Sequence, residues 1–198
     1  MANRVIIEKT VLDKPNHQTG RQAMDLYEVI ETRRSVRAYS DKPIPEDVLK
    51  RVLNAGRIAP SGSNRQPTRF IVVRDPEARK ALVPLCEGQR FVAEAPIIIV
   101  AVGKNINYNR GGYMGDYAMI VDVSIAVDHL TLAARAEGLG TCWIGSFRNN
   151  ELKKHLGIPE GHEVVTLTPL GYPVGDPFVK TDNRLPLDEL VCEEHWQF

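Results

Sequence analysis

The segment 115–137 is spaced as a helix and is apolar on most of its faces, and few folds can accommodate it. Tyr117, Ile120, Val121, Ile125, Val127, Leu130, Leu132 and Ala133 leave it no broad polar stripe. At about 1.5 Å per residue it would run roughly 35 Å if unbroken. A helix apolar nearly all round is buried, at the centre of a domain or at an interface between two copies of the chain. Gly138 supplies its C-terminal stop. The run 96–102 is apolar at consecutive positions, so it reads as an inner strand covered on both faces.

A buried helix beside a buried strand needs further layers, and the remaining signals supply them. Asp25 is placed to cap a helix carrying Leu26, Val29 and Ile30 at helical spacing up to Arg33. Pro45, at a first helical position, opens a second helix with Val48, Leu49, Val52 and Leu53, which ends near Gly56. Strands are expected at 70–73, 141–144 and 163–170, and helices after Asp75-Pro76 and over 150–156. Residues 103–114, rich in glycine and asparagine, read as a long loop and a lid. Residues 1–24 hold a short β-like run, Val5-Ile6-Ile7, and read as an N-terminal arm. The rest, 25–198, is expected to be one domain, with an extended C-terminal portion from about 172 punctuated by Pro173, Pro177 and Pro186. Helices and strands interleave without a regular strand–helix–strand repeat. The class is α+β, with a sheet between helices.

At 198 residues the chain is long enough for a single domain with a real core. Basic and acidic residues balance at 25 each, so there is no general field to attract nucleic acid or an anionic membrane. Neither is expected as a partner, and a near-zero charge permits self-association. Cys86, Cys142 and Cys192 are odd in number and form no C-x-x-C pair, which points to reduced thiols in a cytoplasmic protein. The run 95–102, read as the longest apolar stretch, is too short to span a bilayer.

The chemistry is concentrated in two segments. Arg33-Arg34-Ser35-Val36-Arg37 places three guanidinium groups and a hydroxyl at a helix end, a grip suited to phosphate because arginine makes charge-assisted, often bidentate bonds to it. The plain alternative is a solvated cationic helix end stabilised by the macrodipole. About thirty residues later comes Ser61-Gly62-Ser63-Asn64-Arg65-Gln66-Pro67, a polar loop stopped by proline before an apolar strand. Other signatures fail. Gly138-Leu139-Gly140 starts a dinucleotide fingerprint, but Trp143 stands where its third glycine belongs. His162-Glu163 starts a zinc-protease motif, but Thr166 stands where the second histidine belongs. No metal is required.

The segments match R-[RH]-S-x-[RK] and, over 59–67, A-P-S-x-x-N-x-Q-P, and they resemble the opening of the nitroreductase family of FMN-dependent oxidoreductases. The runs 134–147 and 167–173, the latter followed by a tail containing Arg184, extend the resemblance from 25 to about 190. It implies a nitroreductase-like fold, with a central, mostly antiparallel sheet flanked by helices in an intertwined homodimer. It also implies that Arg33, Arg34, Ser35 and Arg37 hold the FMN phosphate and ribityl chain, with Arg184 completing the grip. A second basic residue is usual in the family two positions before that arginine, where this chain has Asp182; Lys180 is the candidate substitute, unless the Arg33 cluster suffices.

Ser61, Ser63, Asn64 and Gln66 resemble the loop that reaches the isoalloxazine, often from the second subunit, although Thr68 replaces the usual aromatic residue after Q-P. Gln89 and Arg90 match positions near the flavin pyrimidine edge. Ile144, Gly145 and Ser146 resemble the segment whose backbone lies against flavin N5, where glycine permits close approach. Tyr108, Arg110, Tyr113 and Met114 would tune the acceptor from the lid. The implied activity passes hydride from NADH or NADPH through FMN to a nitroaromatic, quinone or similar small acceptor, in a ping-pong cycle. No side chain is required as a catalytic acid, because the flavin carries the chemistry. Two alternatives are a specialised branch, dehalogenating or flavin-destroying, and a non-catalytic flavin-binding or redox-sensing protein.

Overall fold

The computed structural model describes residues 24–104, 114–181 and 183–196, without the side chains of Met114 and Asp116. The expected strand at Val5-Ile6-Ile7, the arm before residue 24, and the lid residues Tyr108, Arg110 and Tyr113 lie outside the described residues.

Four strands form one antiparallel sheet: β1 (Thr68–Val73), β2 (Ile97–Lys104), β3 (Gly140–Thr141) and β4 (His162–Gly171), in the order β1-β2-β4-β3. β2 is central and buried at every residue except Lys104. Period-two alternation sends its side chains into two layers. Ile97, Ile99 and Ala101 meet the helices α2 (Glu46–Ile58) and α5 (Met114–Ala136) through Val48, Leu49, Val52, Val123, Val127 and Leu130. Ile98, Val100 and Val102 meet the other side, where Leu82, Val92 and Leu152 project from α3 (Pro76–Leu82), α4 (Phe91–Glu94) and α6 (Asn149–Leu156). At about 1.5–3 kcal/mol for each large apolar side chain, this one strand anchors both cores. Gly103 is required where α5 crosses: a Cβ there would lie 2.4 Å from Met119 Cγ.

Local signals explain most helix ends. Asp25 caps α1 (Leu26–Thr32) by accepting from the Tyr27 N–H at 2.9 Å, and Asp75 caps α3 by accepting from the Ala78 N–H at 2.8 Å. Several expectations need correction. Pro45 is the N-cap of α2, and Glu46 is its first helical residue. The strand expected at 141–144 shrinks to β3, because Cys142 turns its N–H to the Thr168 hydroxyl and only Ile144 regains a backbone bridge, to Leu167 on β4. β1 and β4 run longer than expected because pairing with β2 recruits flanking polar residues such as Thr68 and His162. A longer segment than the uninterrupted run 95–102 is apolar on average. Tyr117–Ala136 is long and apolar enough by length and composition to cross a membrane. It packs on the sheet and α2 through Val123, Val127, Leu130 and Ala134. Its first turns behave differently, with Tyr117 47%, Ile120 47% and Val121 38% exposed.

On the far side, α6 is tied to β4 by Lys153 Nζ and Asn149 Nδ2, 2.7 and 2.8 Å from the two carboxylate oxygens of Glu163. The Lys153 hydrogen bond holds this carboxyl below its ordinary value of 4.5, against a smaller burial effect, with Asn149 assisting. A lowered carboxyl stabilises the fold above that ordinary value and stops doing so as it protonates below it. The Glu163 side chain is 41% exposed, so we expect Glu163→Gln to cost less than about 1 kcal/mol at neutral pH. In urea unfolding the gap from the parent protein should narrow as the pH is lowered from 4.5; a gap independent of pH would show that charge is not its cause.

Candidate functional site

The chain leaves α1 at Arg33 in extended backbone, with φ −59° and ψ 131°. It then runs along the free side of β3, where Ser35 bridges to Thr141 and the Val36 N–H donates to the Thr141 carbonyl at 2.9 Å. Gly140 makes this approach possible, since a Cβ there would stand 2.7 Å from Val36 Cγ2. Farther on, Tyr39 bridges to Pro173, and the Ser40 and Val174 N–H groups donate across to Tyr172 and Ala38 at 2.9 and 3.0 Å. The arginine-rich segment is thus fastened to β3 and then to the chain that follows β4. Tyr39 locks the turn by donating its hydroxyl to the Val36 carbonyl at 2.6 Å, and burial pushes its phenol far up.

Extended backbone points successive side chains to opposite sides, and this divides the four residues of the first motif. Arg33, Ser35 and Arg37 act on Cys142: burial raises its thiol, while the Arg37 and Arg33 charges and a Ser35 hydrogen bond oppose that rise. Arg34 instead lines a cavity of about 340 Å³ with Ile30, Glu31, Lys180, Thr181 and Arg184. Its Nη1 donates to the Arg33 carbonyl at 2.6 Å, and its Nη2 is buried with no hydrogen-bond partner. Lys180 Nζ lies 2.5 Å from Glu31 Oε2. Among the described residues, three cations therefore face one carboxylate in this cavity, and Lys180 and Arg184 share one of its walls.

Beyond β3, Ile144 is buried and donates its N–H to the Leu167 carbonyl at 2.9 Å, while Gly145 and Ser146 are exposed. No atom lies within 4 Å of where a Gly145 Cβ would stand, so a ligand can reach this backbone. Gln89 Nε2 donates to the Cys86 carbonyl at 3.1 Å and to the Ser146 carbonyl at 3.3 Å, so these two expected site residues do meet. Arg90 is exposed just ahead of α4.

The polar loop is elsewhere. Ser63, Asn64 and Gln66 have φ of 50°, 53° and 51°, the left-handed region, which costs a non-glycine residue about 1 kcal/mol or more. The shape is held by Gly62 donating its N–H to Asp122 Oδ1 at 3.0 Å and Gln66 donating its N–H to Ser61 Oγ at 2.9 Å, while Ser63, Asn64 and Gln66 are exposed. Asp122 sits on α5, as does Arg135, which meets the end of α1. At about 1.5 Å per residue these anchors are roughly 20 Å apart along the helix, so within one chain the two motifs are well separated along α5. Sequence reasoning missed Asp122. An acid inside an apolar helix was the available signal, and the Gly62 N–H it accepts from lies sixty residues away in sequence.

Against known proteins, the model of the Nitroreductase family matches residues 30–89 and 85–172. The chain is 38% identical over 176 residues to a protein named "Putative NADH dehydrogenase/NAD(P)H nitroreductase" from Archaeoglobus fulgidus, covering 85% of this chain and 97% of the other. It is 27% identical over 205 residues to human "Iodotyrosine deiodinase 1", covering 89% of this chain and 71% of that one. The solved structure of an NADPH:FMN oxidoreductase from Vibrio harveyi, complexed with NAD+, aligns with a TM-score of 0.77 at 29% identity, covering 87% and 78% of the two chains. The chain belongs to the nitroreductase family. It has that family's fold and is an oxidoreductase.

Cys86 and Cys142 are buried beside this site, whereas Cys192 is half-buried in the tail. Burial first, and then the neighbouring Glu87 carboxylate, push the Cys86 thiol up to about 11. We expect one fast thiol in a titration of the native protein with a water-soluble disulfide reagent, and its loss in Cys192→Ser. A fast phase that survives this substitution would show that Cys86 or Cys142 is reached by solvent.

Proposed function

We propose that this chain is an FMN-dependent oxidoreductase that draws electrons from NADH or NADPH and delivers them to a nitroaromatic, a quinone or a similar small acceptor. The observation that carries the reading is the Arg34 cavity, which among the described residues has three cations, one carboxylate and a buried guanidinium nitrogen that lacks a partner. A phosphate dianion fits that charge balance and offers the missing acceptors. Arg34 and Arg184, with Lys180 in place of the usual second basic residue, would hold the phosphate, and Arg33 would support it from the Cys142 side. Ser35 and Arg37 would meet the ribityl chain. The Gly145 and Ser146 backbone, open to a ligand, would receive the ring, with Gln89 and Arg90 toward its pyrimidine edge.

When bound, FMN supplies a two-electron carrier that takes a hydride equivalent from the nicotinamide and passes two electrons on in a ping-pong cycle. The residues of the chain bind and orient; none is needed as an acid. Tyr108, Arg110, Tyr113 and Met114 are proposed to select the acceptor. The deiodinase likeness supports one second reading, a branch that removes halogen from an aromatic substrate.

The site is proposed to be shared by two copies of the chain. The separation of the two motifs along α5 supports this, with Ser61, Ser63, Asn64 and Gln66 reaching the partner's ring. So do the exposed apolar residues Leu26, Tyr27, Ile120 and Val121, and Leu187 and Leu190 in the tail. A cytoplasmic home suits the three free cysteines.

The purified protein should show a flavin spectrum that bleaches anaerobically with NADH or NADPH, and Arg33→Ala, Arg34→Ala and Arg184→Ala should each weaken FMN binding about tenfold or more without unfolding the protein. A chain that cannot be reconstituted with FMN would overturn the proposal. Adding nitroaromatics, quinones or iodinated phenols to the reduced protein separates the two readings by which one restores the oxidised spectrum. Light scattering should give the mass of a dimer; a monomer with FMN bound would contradict the shared site.

A further inference from the structure

Arg135 is 7% exposed on the last turn of α5 and lines none of the surfaces described above. Its Nε donates to Thr32 Oγ1 at 2.9 Å, and its guanidinium carbon lies 4.2 Å from the centre of the Phe178 ring. Thr32 in turn donates its hydroxyl to the Glu28 carbonyl at 2.5 Å. These two partners belong to the two walls of the Arg34 cavity. Thr32 sits between Glu31 and Arg34 on the α1 side, and Phe178 precedes Lys180, Thr181 and Arg184 on the tail side. Phe178 itself packs on Val36, Tyr39 and Ala95, the core beneath the arginine-rich segment.

Among the described residues between Val174 and Arg184, the Lys180–Glu31 ion pair joins the tail to α1, and its side chains are 71% and 48% exposed. Such a pair is worth little in water. A guanidinium bonded at one edge and stacked on its face is held at two points, which an ammonium cannot reproduce.

We infer that Arg135 is a positioning residue that fixes the α1 wall and the tail wall of the cationic cavity against each other, and so sets how tightly the chain holds a phosphate monoester. This rests on the FMN reading above. Arg135 touches no ligand. It acts through Thr32 and Phe178 on the placement of Arg34 and Arg184.

The test compares FMN with riboflavin, which lacks the phosphate, by quenching of flavin fluorescence on the full-length, flavin-stripped protein. The parent should prefer FMN by about a hundredfold, the effect of two or so charge-assisted hydrogen bonds. Arg135→Met and Arg135→Lys should reduce that preference about tenfold or more while leaving the riboflavin Kd unchanged. Thr32→Val, which keeps the shape and removes the acceptor, should act in the same direction and decides the matter if the Arg135 variants do not fold. A preference retained in the variants, or an equal loss for both flavins, would overturn the positioning role and leave the FMN reading intact. A parent protein without any preference for FMN would instead remove the FMN reading, and the inference with it.

Discussion

Burial of β2 on both faces is the constraint on which the rest of the molecule depends. A strand whose alternate side chains enter two apolar layers admits no polar surface, so helices must cover it on each side. One layer needs α2 and a long α5, and their approach to the strand needs the glycine at position 103. The other layer is built from shorter helices around Leu82, Val92 and Leu152. With both faces occupied, ligand chemistry is left to the sheet's free side at β3 and to the loops.

That edge is where the arginine-rich segment has been threaded. It gains backbone partners on β3 and on residues 172–174, so its side chains are presented from a fixed strand and not from a mobile helix end. Extended geometry then splits the motif. Arg33, Ser35 and Arg37 go to the Cys142 side, and Arg34 goes to the cavity shared with Lys180 and Arg184. The same alternation that buries Val36 determines which arginine faces which environment.

The fold class, and the groups that gather in the candidate site, were legible from residues alone where their causes are local. Asp25 and Asp75 cap the helices they precede, and the apolar run 96–102 lies inside the sheet. The R-R-S-x-R and S-x-x-N-x-Q runs carried the family, which the family model and the relatives show. Errors arose where long-range pairing intervened. The strand expected over 141–144 is cut short because Cys142 and Trp143 leave the ladder before Ile144 rejoins Leu167. The helix expected to be buried in the domain or between two copies is covered within the chain through Val123, Val127 and Leu130, while Ile120 and Val121 at its beginning are left exposed in the single chain.

By itself, the sequence determined the helix caps, the doubly apolar strand, the charge balance and the list of groups able to grip an anion. These follow from side-chain chemistry and from spacing over a few residues. Only the tertiary structure decided that Asp122 would hold the 61–66 loop partway along α5, and that Arg135 would meet Thr32 and Phe178 at its C-terminal end. These partners are brought together by packing on a common helix. Their contact energies appear only after the core has formed, so no local pattern in the chain announces them.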